Sequence, residues 1–233
     1  MKVTLVIPVL NEIIGIKAIM PKIKKEWADQ ILFIDGQSTD GTLEYLKQQG
    51  YQYVVQQKKG MRYAYMEALP YMEGDVIITF SPDGNSIQEL IPECIKKLKD
   101  SYDMVIVSRY AKGAKSLDDD VITGFGNWMF RNLISICFGY RYTDPMVIYR
   151  AYKKHIIYDL DLHKDSSFEK EERLFNTRVS WEPLLSIRAA KRKLKIGEIP
   201  GDEPARIGGE RKLQIWRWGA VFMYQVIREI FVW

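Results

Sequence analysis

The chain has 233 residues, 47% of them hydrophobic and 27% charged. That balance belongs to a folded protein of one or two domains, at about 150 residues each, and excludes a largely disordered chain. Cys94 and Cys137 are the only cysteines, which excludes a disulfide scaffold and a cysteine-built zinc site and fits a reducing cytosol. The net charge is +4, but Ser186–Trp233 alone carries 10 Lys/Arg against 5 Asp/Glu. A local basic surplus suits an anionic partner (phosphate, a lipid headgroup, nucleic acid) or a solvated helical face. No apolar run reaches the roughly 18 residues that span a bilayer. Met1–Pro8 reads as a strand, with no small-residue cleavage site after it.

Val3–Val9 is β-rich and apolar, the pattern of a buried strand. Asn11–Trp27 has helical character, interrupted at Pro21. Gln30–Asp35 is a second buried strand, followed by the turn-rich Gly36-Gln37-Ser38-Thr39-Asp40-Gly41 and a helix over Thr42–Gln49. Tyr53–Val55 is a short strand, Gly60–Met72 a helix, and Asp75–Phe80 another strand that ends in Ser81-Pro82-Asp83-Gly84-Asn85. A helix over Ile87–Lys99 and a strand over Asp103–Ser108 follow. Strands alternating with helices of this length predict βαβ units and a mostly parallel α/β sheet flanked by helices. Ligands of such sheets sit at the carboxyl ends of the strands. Asp35, Asp83 and Arg109 all fall there, although Asp and Gly also serve simply as turn residues.

The second half is less regular. Lys112–Asp120 reads as a loop, Gly126–Phe138 as an apolar helix carrying Asn127, Arg131 and Asn132, and Val147–Leu160 mixes strand and helix signals. Asp161–Glu172 reads as a polar loop, Trp181–Lys193 as a helix, Ile196–Pro200 as a short strand and Gly201–Glu210 as a flexible segment. The final helix spans Leu213–Trp233.

Four separated segments fit one pattern: Ile7-Pro8-Val9-Leu10-Asn11-Glu12, Ile34–Thr42, Val107-Ser108-Arg109-Tyr110, and Glu198-Ile199-Pro200 with Arg206-Ile207-Gly208-Gly209-Glu210-Arg211-Lys212-Leu213. Together they resemble the family 2 glycosyltransferases of GT-A (Rossmann-like) fold. The branch resembled is that of dolichol-phosphate-mannose synthase and bacterial polyprenyl-phosphate glycosyltransferases. The resemblance covers about Val3 to Leu213. It implies an inverting transferase that moves a sugar from a UDP- or GDP-sugar donor. Pro8, Asn11, Glu12 and Asp35 would hold the nucleoside, since carboxylates accept hydrogen bonds from ribose hydroxyls and base N–H groups. Asp40 is expected instead to cap the helix that follows it. Lys59-Gly60 matches a basic-glycine pair opening a helix beside the donor, or is a solvated loop pair.

The family's Asp-x-Asp metal motif is Ser81-Pro82-Asp83 here, with Asn85 two residues on. Asp83 and Asn85 are therefore the expected oxygen ligands of magnesium or manganese, and the competing reading is a plain β-turn. Arg206 and Lys212 resemble the family's mobile loop and would bind the diphosphate. On the acceptor side, Arg109 and Arg131 match family arginines that position a lipid phosphate. Arg131, alone on an apolar helix, has a second reading as a salt-bridge partner of Asp144. Glu182 sits where other branches place a general base for a hydroxyl acceptor, or is a first-turn acid beside Pro183.

Leu213, Trp216, Ala220, Met223, Ile227 and Ile230 form an apolar stripe on the last helix, with Gln214, Arg217, Gln225 and Arg228 on the other side. The chain is thus read as a transferase domain over 1–212 and an amphipathic helix over 213–233. That helix packs on the domain, forms a homodimer contact, or lies peripherally on the cytoplasmic membrane face. The expected acceptor is a polyprenyl phosphate or another membrane-linked molecule. The alternatives are a saccharide hydroxyl in cell-surface polysaccharide assembly and a non-catalytic nucleotide-sugar-binding protein. With no nucleic-acid motif in the sequence, nucleic acid is not an expected partner.

Overall fold

The computed structural model describes residues 1–118, 120–208 and 215–232. Its strands are β1 (Val3–Val9), β2 (Gln30–Asp35), β3 (Gln52–Val55), β4 (Val76–Thr79), β5 (Met104–Ser108), β6 (Arg150–Lys153) and β7 (Ile196–Pro200). They form one sheet in the order β3-β2-β1-β4-β6-β5-β7. β6 runs antiparallel to β4 and β5, and every other pairing is parallel. The central strands are apolar throughout because helices cover both faces. Along β1, Leu5, Ile7 and Val9 join one core layer and Val6 the other, the two-residue alternation of a strand.

The helices α1 (Ile13–Ile19), α2 (Thr42–Gln48), α3 (Met61–Ala68) and α4 (Ile91–Lys99) lie where the sequence predicts them. Prolines set their limits. Pro21 and Pro70 lie in short 3-10 turns just after α1 and α3, and Pro92 sits in the first turn of α4.

Three segments differ from expectation. α5 (Val121–Phe138) starts five residues before the predicted Gly126. Asp120 accepts from the Thr123 backbone N–H at 2.8 Å while the Thr123 hydroxyl receives the Asp120 N–H. This capping box carries the helix through Gly124 and Gly126. The mixed region Val147–Leu160 resolves into β6 and α6 (His155–Asp159). Since β6 is antiparallel, the residues before it, not after it, reach the carboxyl rim of the parallel strands. The supposed loop Asp161–Glu172 contains the start of α7 (Glu169–Leu174), whose Glu171 and Glu172 are buried as ion-pair partners.

α8 (Glu182–Lys191) and α9 (Ile215–Phe231) complete the described elements. α9 packs against α5, α7 and α8. Of the readings open for its apolar stripe, packing on the domain holds, among the described residues, only for Met223, which lies against the core. Val221, Phe222 and Val226 face the core, but so do Gln225 and Glu229, both 0% exposed. Glu229 accepts from Arg188 at 3.0 Å and Arg228 at 2.6 Å, and Arg228 also reaches Glu171 at 2.6 Å. Trp216, Ile227 and Ile230, from the predicted apolar stripe, point to solvent, Trp216 at 83% exposure. Leu213, Gln214 and the expected boundary at 212/213 lie outside the described residues.

Candidate active site

β1 lies between β2 and β4, with Val9 in register with Asp35 and Val6 with Thr79. The loops leaving these three strands therefore adjoin at one rim. Asp35 ends β2 fully buried. Its Oδ2 accepts from the backbone N–H groups of Gln37 and Ser38 at 3.0 and 3.1 Å. Its Oδ1 is buried and has no hydrogen-bond partner among the described residues. A buried carboxylate oxygen left open costs stability unless a ligand's N–H or O–H completes it. This is the strongest sign on this side of the rim that something binds there.

Asn11 and Asp40 are braces. Asn11 takes a positive φ of 60° and accepts from the Thr39 N–H at 2.8 Å, while its own N–H reaches the Ser38 hydroxyl at 2.9 Å. Gly41, not Asp40, is the N-cap of α2; Asp40, one residue earlier, accepts from the Thr42 N–H at 2.9 Å and from the Ile13 N–H at 3.1 Å. It ties the starts of α1 and α2 together. Its carboxyl is held below its ordinary value: burial pushes upward, and the hydrogen bonds from Thr42 and Ile13 outweigh it. Glu12 stands at the N-cap of α1, partly buried, its N–H on the Thr42 hydroxyl at 3.0 Å. Pro8 pairs with Ile34 in the sheet beneath. Lys59 is exposed on the loop that leads into α3.

The Ser81–Asn85 loop presses on α1. A Cβ on Gly15 would lie 2.4 Å from the Pro82 carbonyl oxygen, so only glycine allows this approach. Asp83 is buried, and its Oδ2 lies 2.8 Å from a terminal nitrogen of Arg206. The other Arg206 terminal nitrogen is 3.5 Å from Asp118. The Ile207 N–H donates to the Asp83 carbonyl at 2.7 Å, so the segment after β7 is clamped to this loop by backbone as well as charge. Asn85 stands beside them, its amide 3.5 Å from Asp118. Asp83 and Asp118 bring two carboxylates together, hard-oxygen donors suited to magnesium or manganese, while Asn85 turns its amide nitrogen to Asp118 and its oxygen to the Ser86 hydroxyl at 3.5 Å. A guanidinium already lies among them. Lys212 lies outside the described residues.

Further along the rim, Arg109 leaves β5 and meets Asp144 in a two-pronged pair, Nε to Oδ2 at 2.7 Å and Nη2 to Oδ1 at 3.1 Å. Glu203 lies 3.3 Å from Nη1. Burial alone would lower the Arg109 pKa; Asp144 and Glu203 outweigh it and raise it. Asp144 thus pairs with Arg109, and the pairing weighed for Arg131 is not among the described ion pairs. Glu198 of β7 fixes the arrangement from below, accepting from the Thr143 N–H at 3.0 Å and the Asp144 N–H at 3.3 Å.

Arg109 and Arg131 share a cavity of about 580 Å³ with Tyr110, Ser116, Asp120 and Trp128. Asp120, Gly124, Trp128 and Arg131 line it from α5, spaced by three and four residues as one helical face requires. Arg131 has no acidic partner among the described residues.

Glu182 is placed differently. It lies in the first turn of α8, 2% exposed, beneath the stacked rings of Tyr65 and Trp181. The Tyr65 hydroxyl donates to it at 2.8 Å, and Ser180 donates to its other oxygen. Burial raises its pKa, as expected of a carboxyl beside Trp181. It does not line the cavity that holds Arg109 and Arg131. Sequence reasoning did not single out Asp118, Glu203 or Tyr65. Their partners lie 88 to 117 residues away along the chain, and no local spacing signals them.

A parallel sheet whose carboxyl rim carries an open buried carboxylate, a hard-oxygen cluster and a two-arginine cavity defines an α/β protein built for anionic, nucleotide-type ligands. The chain belongs to glycosyl transferase family 2, whose model matches residues 4–161. It is a glycosyltransferase of GT-A fold. It is 26% identical over 199 residues to the dolichyl-phosphate hexose transferase of Haloferax volcanii, covering 85% of this chain and 80% of that one. It is 26% identical to the dolichol-phosphate mannosyltransferase of Pyrococcus furiosus over 92% of this chain, spanning 60% of the longer relative. A solved structure of glucosyl-3-phosphoglycerate synthase from Mycobacterium tuberculosis in complex with UDP superposes with a TM-score of 0.63 at 17% identity, over 97% of this chain and 80% of that one.

Proposed function

We propose that this glycosyltransferase transfers a sugar, with inversion, from a nucleotide diphosphate sugar to a polyprenyl phosphate at a membrane surface. The observation that carries the reading is the cavity beside the donor rim. It offers Arg131 without an acidic partner among the described residues, and Arg109 pre-oriented by Asp144 and Glu203. A phosphate monoester is already anionic at neutral pH. It needs cations to position it and no general base. A hydroxyl acceptor would need a base in reach, and Glu182, the expected candidate, is enclosed with Tyr65 and Ser180 away from that cavity.

On the donor side, Asp35 receives the nucleoside, with Asn11 and Asp40 bracing its loop, and Glu12, Pro8 and Lys59 border it. Asp83 and Asn85 would hold a magnesium or manganese ion, which would supply positive charge to neutralise the diphosphate leaving group. An acceptor phosphate oxygen held by Arg131 and Arg109 attacks the anomeric carbon from the face opposite the diphosphate; the bond from that carbon to the diphosphate oxygen breaks, the nucleoside diphosphate leaves with the electron pair, and the configuration inverts. The donor is a UDP- or GDP-sugar. The names of the Haloferax and Pyrococcus relatives, a dolichyl-phosphate hexose transferase and a dolichol-phosphate mannosyltransferase, support this acceptor class.

Two exposed stripes on packed helices support membrane contact: Val121, Phe125, Trp128 and Ile136 on α5, and Trp216, Ile227 and Ile230 on α9. Trp128 belongs both to the α5 stripe and to the cavity lining. Interfacial helices place such rings at the headgroup level, beside a phosphate-linked lipid. Among the described residues no helix is long and apolar enough to cross a membrane.

The test incubates the protein with UDP- and GDP-sugars, manganese, and either undecaprenyl phosphate in vesicles or a free saccharide. Transfer to the lipid phosphate is expected, with Arg131→Ala raising the acceptor KM at least about tenfold, the weight of a lost charge-assisted contact. Transfer to saccharide alone, abolished by Glu182→Gln, would overturn the reading.

A further inference from the structure

Two carboxylates of the rim converge on one side chain. Asp83 is 2.8 Å and Asp118 3.5 Å from the Arg206 guanidinium, with Asn85 alongside. The Arg206 side chain is 22% exposed, and its Nε is buried with no hydrogen-bond partner among the described residues. Arg206 therefore neutralises the acidic cluster while one of its own buried donors remains open. Such a donor is costly to leave unmet, and an anion arriving at the rim would satisfy it.

We propose that Arg206 is a resident cation of the Asp83–Asp118 cluster and is exchanged on donor binding. With no donor bound, it competes with the divalent ion for Asp83. When a diphosphate and its metal arrive, the metal takes the two carboxylates and Arg206 turns its fork to the diphosphate oxygens. This assigns Asp118 as a member of the metal site. It also gives a reason for Ser81: with the first motif carboxylate absent, a single guanidinium suffices to balance the empty cluster. The inference rests on the proposed diphosphate donor, but its first measurement does not use one.

A like charge beside a cation site disfavours the second cation, and solvent reaching the 22%-exposed Arg206 screens the repulsion to the scale of about tenfold in affinity. Manganese alone is titrated into the protein and free ion is read by electron paramagnetic resonance. Arg206→Gln is expected to bind manganese about tenfold more tightly than wild type, and Arg206→Lys, which keeps the charge, to fall between. Asp118→Asn in the Arg206→Gln background should lose most of the gain. With inorganic pyrophosphate added to manganese-saturated protein, the order inverts: wild type binds pyrophosphate more tightly than Arg206→Gln. Equal or weaker manganese binding by Arg206→Gln, or a gain indifferent to Asp118→Asn, would overturn the proposal. Thermal midpoints matched to wild type confirm that the variants are folded, and the Lys variant serves where the Gln variant is not. If manganese behaves as expected and no sugar is ever transferred, the reading of function fails and the exchange stands.

Discussion

Replacing Glu229 by Gln removes one charge from the buried side of α9 without changing its volume, so no cavity cost enters. Glu229 is fully buried and neutralises Arg188, itself 4% exposed along its side chain, together with Arg228. Removing one partner of a buried ion pair costs about 3–5 kcal/mol, because the remaining charge is left uncompensated. Glu171 continues to balance Arg228 at 2.6 Å, which places the expected cost near the lower end, about 3 kcal/mol. For a chain of this size each kcal/mol lowers the midpoint by roughly 2–4 °C, so thermal denaturation should show a fall of roughly 6–12 °C. The paired control is Trp216→Ala with Ile227→Ala, at positions 83% and 50% exposed. Surface changes of this kind shift stability by about 0.5 kcal/mol or less. The same double variant should weaken binding to vesicles of mixed phosphatidylglycerol and phosphatidylcholine at least about tenfold, since a tryptophan ring alone carries several kcal/mol of transferable area. Near-equal stability of Glu229→Gln and wild type, with a large loss in the double variant, would mean that the apolar stripe seats the helix and the polar side faces water.

Gly15→Ala would bring a methyl group to 2.4 Å from the Pro82 carbonyl oxygen; overpacking of this order costs about 1–3 kcal/mol, and manganese binding at Asp83 should weaken with it, as calorimetry would detect. Asp144→Asn leaves Arg109 with Glu203 alone and should raise the acceptor KM with little change in donor affinity, read from initial rates with each substrate varied. Burial holds the Glu182 pKa above its ordinary 4.5, so the protonated form favours folding. Wild type should therefore lose stability as pH rises from 4.5 through the raised folded value, Glu182→Gln should not, and the two should converge below 4.5 in denaturant titrations. A wild type that gains stability over that rise would refute the desolvated environment.

Most of the sheet is legible in the sequence because its strands are apolar runs that end in polar turns. Val3–Val9 and Gln30–Asp35 coincide with β1 and β2 to the residue. The same logic finds Asp35 and Asp83, since the carboxyl rim of a parallel sheet is fixed by topology. β6 escapes it: a four-residue antiparallel strand, Arg-Ala-Tyr-Lys, has no period long enough to read. With β6 hidden, nothing in the sequence sets Asp144 beside Arg109, and Arg131 on α5 offers itself as a partner instead. α9 misleads for a different reason. A hydrophobic stripe is expected to face the core, but burial on this helix is satisfied by paired charges whose partners, Glu171 and Arg188, come from α7 and α8. Pairing across elements leaves no trace in the periodicity of any one of them.

The segment after β7 joins the two halves of the rim. Glu203 reaches Arg109 at 3.3 Å on the acceptor side, and Arg206, three residues on, reaches Asp83 at 2.8 Å on the donor side. Its amino end is anchored firmly: the Gly201 N–H donates to Ser108 at 3.0 Å, Glu203 exchanges backbone hydrogen bonds with Lys115 and Leu117 at 2.8 Å, and Ser116 donates to the Glu203 carboxylate. Its far end is held by the Arg206 ion pairs and the Ile207 N–H. A ligand that draws Arg206 away from Asp83 removes the charged part of that hold and leaves Glu203 in place on Arg109. Donor binding at Arg206 would thus reshape the metal side of the rim without releasing the acceptor arginine, because the stiff anchor holds Glu203 itself and does not depend on the Arg206 contact.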